Sequence, residues 1–198
     1  MAYKVLNNVS VKDVTSSDLL SLKTDLLVIV INKNTKDKVV NQLAKDVSSH
    51  LKESGSSVLV PNAKSFNAKN VLLVKGFQDS DQIHKLISMY QSIAQKGNQL
   101  KAKDISIMPG TVYPKGKCEM WLIEMVAKTI ESNVYIFSET CNKTAKKPSV
   151  KKLNILVSSL TKSDLIKAKN AAKKGYAIGE GVNLSLIHIS EPTRRWHI

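Results

Sequence analysis

Two kinds of hydrophobic pattern alternate along the chain. Short runs rich in β-branched residues are typical of strands, and longer stretches with an apolar residue every three or four positions are typical of amphipathic helices. The run Leu26–Ile31 is apolar throughout, which predicts a central strand buried on both faces. The other predicted strands are residues 57–60, 70–75, 104–108, 133–138 and 152–158.

Helical spacing predicts the elements that connect these strands. The predicted helices are residues 39–55, 79–96, 117–132 and 162–184. Thr161 and Asp164 stand three residues apart at the start of the last helix, as in a capping box. The alternation predicts an α/β domain with a mixed, largely parallel sheet flanked by helices, followed by a long C-terminal helix.

The length and apolar content predict one substantial soluble domain. The chain has 198 residues, and its longest apolar run, Leu26–Ile31, is far shorter than the roughly 20 residues of a membrane span. The opening residues do not resemble a signal peptide. We therefore expect a cytoplasmic protein with no membrane partner, in which Cys118 and Cys141 stay reduced.

The basic residues divide the chain into two unequal parts. The net charge is +14, and of thirty Lys and Arg residues only Arg194 and Arg195 are arginine. Both arginines lie in residues 185–198, and the overlapping segment Leu184–Arg194 resembles the conceptual translation of a transposon-type sequencing adaptor read through in frame. We therefore expect residues 185–198 to be a non-native tail, with a natural divergent C-terminus as the alternative.

The remaining positive charge indicates acidic partners. Lysines concentrate in a polar stretch at residues 140–152, and they favour weak, non-specific contact with DNA. Compositional bias of the genome explains the same lysines, and neither arginine nor interleaved aromatic residues accompany them. The lysines concerned are Lys143, Lys146, Lys147, Lys151 and Lys152.

No motif assembles an active site, so the sequence predicts no catalytic, cofactor-binding or metal-binding residue. Cys118 and His50 or His84 have no spacing that demands a nucleophile pair. The acidic residues are expected on solvated helix faces or near helix N-termini. Those on the predicted helices are Asp37, Asp46, Glu53, Asp79, Asp81, Glu119, Glu124 and Glu131.

Glycine patterns give weak evidence for phosphate binding. Gly179 and Gly181 lie inside a predicted helix, which does not fit a dinucleotide-binding turn. Gly110 and Gly116 lie between a predicted strand and a helix, where a phosphate could meet the helix N-terminus. Nucleotide binding therefore stays open as an alternative.

A family resemblance emerges in the last predicted helix. The segment Lys174-Gly-Tyr-Ala-Ile-Gly-Glu-Gly-Val-Asn-Leu184 resembles the helix that leads into the catalytic domain of the leucyl (cytosol) aminopeptidase family. Earlier segments are similar in order and length to that family's N-terminal domain, so the resemblance covers about residues 1–184. These segments are residues 25–31, 69–76, 121–137 and 146–157.

The resemblance implies a macro-domain-like domain at residues 1–158, a linker helix at 159–184, and a catalytic domain that is missing. Family members are hexamers that carry two divalent ions, zinc or manganese, and remove N-terminal residues from peptides. Their Asn-Thr-Asp-Ala-Glu-Gly-Arg signature is absent here, so we expect an inactive fragment that holds no metal. The small residues of the linker helix are expected to face the missing domain, leaving low order from Gly179 onward. The alternative is an independent module that binds DNA or a nucleotide.

Overall fold

A mixed six-stranded sheet forms the centre of the domain. The computed structural model describes residues 6, 8–31, 56–62, 66–77, 83–110, 113–135, 148–158 and 160–190. The strands are β1 (Asn8–Asp13), β2 (Leu26–Ile31), β3 (Ser57–Pro61), β4 (Asn70–Lys75), β5 (Asp104–Met108) and β6 (Lys152–Val157). The helices are α1 (Ser16–Ser21), α2 (Ile83–Gln99), α3 (Glu119–Val134) and α4 (Lys162–Ser190).

The strand order is β1-β6-β5-β2-β4-β3. The first five strands of this order are parallel to one another, and β3 pairs antiparallel with β4 at one edge. In the register, Leu26 lies opposite Asn70 on one side and Ile105 on the other, so the amino ends of neighbouring strands meet at one edge of the sheet. The architecture is the mixed, largely parallel α/β fold that the sequence predicts.

Apolar side chains on both faces of the sheet explain why it is central. On β2, Val28 packs with the residues of α2, α3 and α4, while Leu27 packs with those of α1. Both side chains are fully buried. Burial of this kind is worth about 1.5 to 3 kcal/mol for each large aliphatic side chain, so the continuous apolar pattern specifies a strand with covered faces.

Two elements were not predicted. Strand β1 is an edge strand that buries one face only, through Val9 and Val11, so its apolar signal is short. Helix α1 is a single turn and a half, and Thr15 and Asp18 form a capping box at its start. The predicted helix at residues 39–55 lies outside the described residues.

The prediction of a strand at residues 133–138 is wrong at its beginning. Helix α3 continues to Val134, which is fully buried, and the Asn133 side chain donates to the Thr129 carbonyl at 2.8 Å. The run of β-branched residues therefore begins inside the helix, since burial against the core outweighs their modest helix propensity. Residues 136–140 lie outside the described part of the chain.

Helix α4 differs from the expectation in length and in packing. It continues to Ser190, whereas the sequence predicts an end near Leu184. Gly175 and Gly179 lie against α3, and Asn183 is 2% exposed with its side chain donating to the Glu131 carbonyl at 3.2 Å. Between Gly179 and Asn183, the expected loss of order is therefore wrong, because the small residues already have a partner in α3.

Hydropathy adds one further finding. In the described ranges, no helix combines the length and the apolar character that crossing a bilayer requires.

Candidate functional site

The carboxyl ends of the parallel strands are the first place to look for a site. In open α/β sheets, ligands bind outside these ends, where the strand order reverses. Here the reversal lies at β2, which has β5 on one side and β4 on the other. The chain leaves β5 through Gly110, turns at Gly116 with a φ of 75°, and enters α3 at Cys118.

Two features of the start of α3 favour the binding of an anion. The N-cap residue is Cys118, and its side chain makes no capping hydrogen bond to the first turn. Lys115 and Lys117 precede it and are exposed, and the Lys117 ammonium lies 5.7 Å from the centre of the Trp121 ring. Backbone N–H groups and two cations therefore favour negative charge at this point.

Acidic groups next to this helix start have the opposite effect. Burial raises the pKa of Glu119, and the nearby Asp164 carboxylate raises it further. Thr161 and Lys167 hold the pKa of Asp164 below its ordinary value, so its carboxylate stays charged at neutral pH. The surface is therefore mixed in charge and does not form a strong anion site.

Tyr90 lies deep beneath the end of β5. Its side chain is fully buried in α2, and burial raises the pKa of its hydroxyl well above the usual value. The backbone at Gly110 acts in the opposite direction but does not reverse the shift. The hydroxyl therefore stays protonated at neutral pH and does not act as a base.

The structure does not bring Cys118 and His84 together as a pair. Cys118 is exposed at the start of α3, and His84 is exposed in the first turn of α2. No hydrogen bond joins them in the described part of the chain, and His50 lies outside it. The structure therefore gives no support to a thiol–imidazole pair at these positions.

The described ranges contain no group of three or more His, Cys, Asp or Glu side chains that could hold a metal ion. The residues present here therefore do not fit a two-metal centre. Glu124 forms an ion pair of 3.2 Å with Lys174 on α4. The acidic residues that lie outside the described ranges are Asp37, Asp46, Glu53, Asp79, Asp81, Glu139 and Glu191.

Glu131 is the acidic residue whose environment the sequence does not predict. It was expected on a solvated helix face, but it is 0% exposed between α3 and α4. A Cβ added at Gly179 would lie 2.8 Å from the Glu131 Cβ, which shows how closely the helices approach. The Glu131 charge is also among the influences that raise the pKa of Tyr176. Glu131 is thus buried because Gly175 and Gly179 allow α4 to approach α3 closely.

A chain of polar side chains crosses the sheet near its amino ends. Ser10 donates to Asn154 at 2.8 Å, Asn154 donates to Ser106 at 3.1 Å, and Ser106 donates to Thr24 at 3.1 Å. Thr24 then donates to Asp104 at 2.7 Å. In the sequence, the signal for this network was the presence of polar residues at alternating positions of the predicted strands. Each partner is used within the chain, so the network fixes strand alignment and offers no free reactive group.

The remaining sequence candidates divide between helix packing and surface charge. Gly179 packs against α3, and nothing lies within 4 Å of a Cβ added at Gly181, so neither forms a phosphate-binding turn. Lys151 and Lys152 are exposed at the start of β6. Lys143, Lys146 and Lys147 lie outside the described residues.

Comparison with known proteins supports the fold rather than a specific activity. No protein-family model matches the chain, and no curated protein is significantly similar to it. Among solved structures, a mutant of tomato leucine aminopeptidase is similar with a TM-score of 0.65 and 17% identity, over 93% of this chain and 38% of that one.

Two further structures share the fold. The macro domain of ganglioside induced differentiation associated protein 2 has a TM-score of 0.57 at 15% identity, over 87% of this chain and 86% of that one. The bottromycin maturation enzyme BotP in complex with Mn has a TM-score of 0.59 at 14% identity, over 85% and 32%. The chain thus spans about a third of the two enzymes and most of the macro domain, and its fold is macro-domain-like.

Proposed function

We propose that this chain is the N-terminal, non-catalytic domain of a metallo-aminopeptidase of the leucyl aminopeptidase type. The observation that carries the proposal is the similarity to tomato leucine aminopeptidase, which covers 93% of this chain but 38% of the enzyme. The family-like segment from Lys174 to Leu184 lies in α4, the last helix of the domain.

The polar groups near the sheet serve internal hydrogen bonds, among them those of Thr24 with Asp104 and of Asn154 with Ser106. On this proposal, the zinc or manganese ions and the peptide substrate belong to a second domain. The intact protein would be a cytoplasmic hexamer that removes N-terminal residues from peptides.

The test is the genomic sequence that follows the codon for Leu184. We expect it to continue into Arg or Lys followed by Asp-Leu, and later to encode the Asn-Thr-Asp-Ala-Glu-Gly-Arg signature. A stop codon near the position of Ile198, with no signature downstream, would contradict the proposal.

The similarity to a macro domain over 86% of its length favours a second candidate, an independent nucleotide-binding module. The anion would meet the start of α3, near Lys117 and the uncapped first turn. Calorimetric titration with ADP tests this candidate. Saturable binding that Lys117→Gln weakens would favour it, and no heat at millimolar ADP would exclude it.

A further inference from the structure

The fold gathers lysines from distant parts of the sequence at one edge of the sheet. Strands β2, β4, β5 and β6 are parallel, so their amino ends lie side by side. A lysine stands at or just before each of these ends, and all are exposed. These residues, which we call the lysine edge, are Lys23, Lys69, Lys101, Lys103, Lys151 and Lys152.

Backbone contacts show that the lysine edge is continuous. The backbone N–H groups of Lys151 and Lys152 donate to the Lys103 carbonyl at 2.7 and 3.2 Å. The Lys103 N–H donates to the Asp25 carboxylate at 2.8 Å, and the Lys69 ammonium lies 2.5 Å from the same carboxylate. From β6 to β4 there are three strand spacings, so the edge is about 14 Å long.

Little negative charge offsets these cations in the described part of the edge. Asp25 is bound by Lys69 and by the backbone of Lys103, which hold its pKa below the ordinary value. Asp104 accepts hydrogen bonds from the Thr24 hydroxyl and the Asp25 backbone. The Asp104 carboxylate carries a negative charge that acts on Lys69, so six lysines face two carboxylates in the described part of the edge, and a net charge of about +4 is left for an external partner.

One lysine occupies a backbone conformation that favours another residue. Lys101 follows α2 with a φ of 52°, in the left-handed region where glycine or asparagine is usual after a helix. A Lys101→Gly substitution therefore removes a charge without imposing backbone strain. If Lys101→Gly weakens binding, the loss is therefore due to the missing charge and not to misfolding.

The side chains between the lysines indicate the class of partner. Leu22 and Leu100 are half-buried, and Ala102 and Val150 are buried, so no large apolar or aromatic side chain is exposed along the described edge. Membrane-binding helices and protein interfaces use exposed apolar groups, and single-stranded nucleic acids stack on aromatic rings. A row of ammonium groups without these features suits phosphates on the outside of a duplex.

We propose that the lysine edge binds the phosphate backbone of double-stranded nucleic acid without sequence preference. Lysine neutralises phosphates as a point charge, whereas the bidentate contact of arginine with guanine, which reads sequence, is unavailable at this edge. The proposal goes beyond the peptidase assignment and does not depend on it. The genomic sequence decides the latter and leaves this binding unaffected.

The test is fluorescence anisotropy of a labelled 20-base-pair duplex titrated with the full chain at several salt concentrations. The edge variant combines Lys103→Gln, Lys151→Gln and Lys152→Gln. The control combines Lys12→Gln, Lys162→Gln and Lys169→Gln, which remove equal charge from exposed positions elsewhere. Circular dichroism establishes that each variant is folded.

We expect the edge variant to reduce the slope of log affinity against log salt by about 2 to 3, and to weaken binding at least about tenfold at low salt. The control should retain most of the slope, and Lys101→Gly alone should reduce it by about 1. Equal losses in the edge and control variants would overturn the proposal. So would the absence of binding at low salt, or competition by polyglutamate as effective as competition by unlabelled duplex.

Discussion

The contact between α3 and α4 depends on Gly175, and an alanine there tests the packing directly. A Cβ built on Gly175 would lie 2.1 Å from the Glu124 carbonyl oxygen and 2.9 Å from its carbon. These are backbone atoms, so a side-chain rotation does not relieve the overlap. The two helices would have to separate by about 1 Å, and overpacking of this kind costs about 1 to 3 kcal/mol, or more.

Helix propensity acts in the opposite direction, so the matched control is a second glycine of the same helix. Nothing lies within 4 Å of a Cβ added at Gly181. Gly181→Ala should therefore gain up to about 1 kcal/mol from propensity alone. Gly175→Ala has the same gain, so its net loss should be between about 0 and 2 kcal/mol, and the overpacking cost alone should make the two variants differ by about 1 to 3 kcal/mol.

Urea unfolding followed by circular dichroism measures this difference. The free energy of unfolding should be lower for Gly175→Ala than for Gly181→Ala, with little change in the slope against urea concentration, since the exposed surface on unfolding stays similar. If Gly175→Ala were as stable as Gly181→Ala, the close approach of α3 and α4 would be refuted.

Four other changes have expected outcomes. The hydrogen bond from Lys69 lowers the pKa of Asp25, so the stability contributed by this carboxylate is present above its ordinary pKa of 3.8 and is lost as pH falls through the lower folded value. Asp25→Asn should flatten that acid loss in urea titrations, and an unchanged pH profile would contradict the assignment. Thr161→Ala should cost about 1 kcal/mol because the Thr161 hydroxyl accepts from the backbone at the start of α4, and Thr161→Ser should restore most of it in thermal melts. Tyr176→Phe should cost about 1 to 2 kcal/mol, because it removes a hydroxyl whose single proton is shared between the Leu6 carbonyl at 2.9 Å and the Glu180 carboxylate at 2.7 Å; no change in urea stability would show that neither contact contributes. The purified chain should not hydrolyse leucyl-amide substrates when Mn²⁺ or Zn²⁺ is added, and metal-dependent turnover in a chromogenic assay would show that a site was missed.

The central strands could be predicted because their signal is local. The runs at Leu26–Ile31, Asn70–Lys75 and Asp104–Met108 match the structure, since each combines strand-forming residues with an end marked by polar residues or glycine. Strand β1 escaped prediction because four of its six residues are polar and one face remains open. Residues 133–134 show the opposite error, because the β-branched residue Val134 was assigned to a strand but is the last, buried residue of α3.

The surroundings of individual side chains could not be predicted, because they depend on contacts between distant residues. Glu131 resembles a surface residue in sequence, yet it is buried where Gly179 brings α4 against α3. The lysine edge has the same origin. Lys23 and Lys152 are far apart in sequence, and they share one edge because β2 and β6 both flank β5.

The small residues of α4 pack within this domain, so they do not support the presence of a second domain. These residues were expected to await a second domain, but Ala168, Ala172 and Gly175 are buried against this domain's own helix and core. That face of α4 therefore packs against this domain and does not indicate a missing partner. Ile178 and Val182, which are about a third exposed, lie on the side that stays open. The peptidase proposal accordingly depends on the fold and on the sequence of residues 174–184, which is why the genomic sequence after Leu184 is its decisive test.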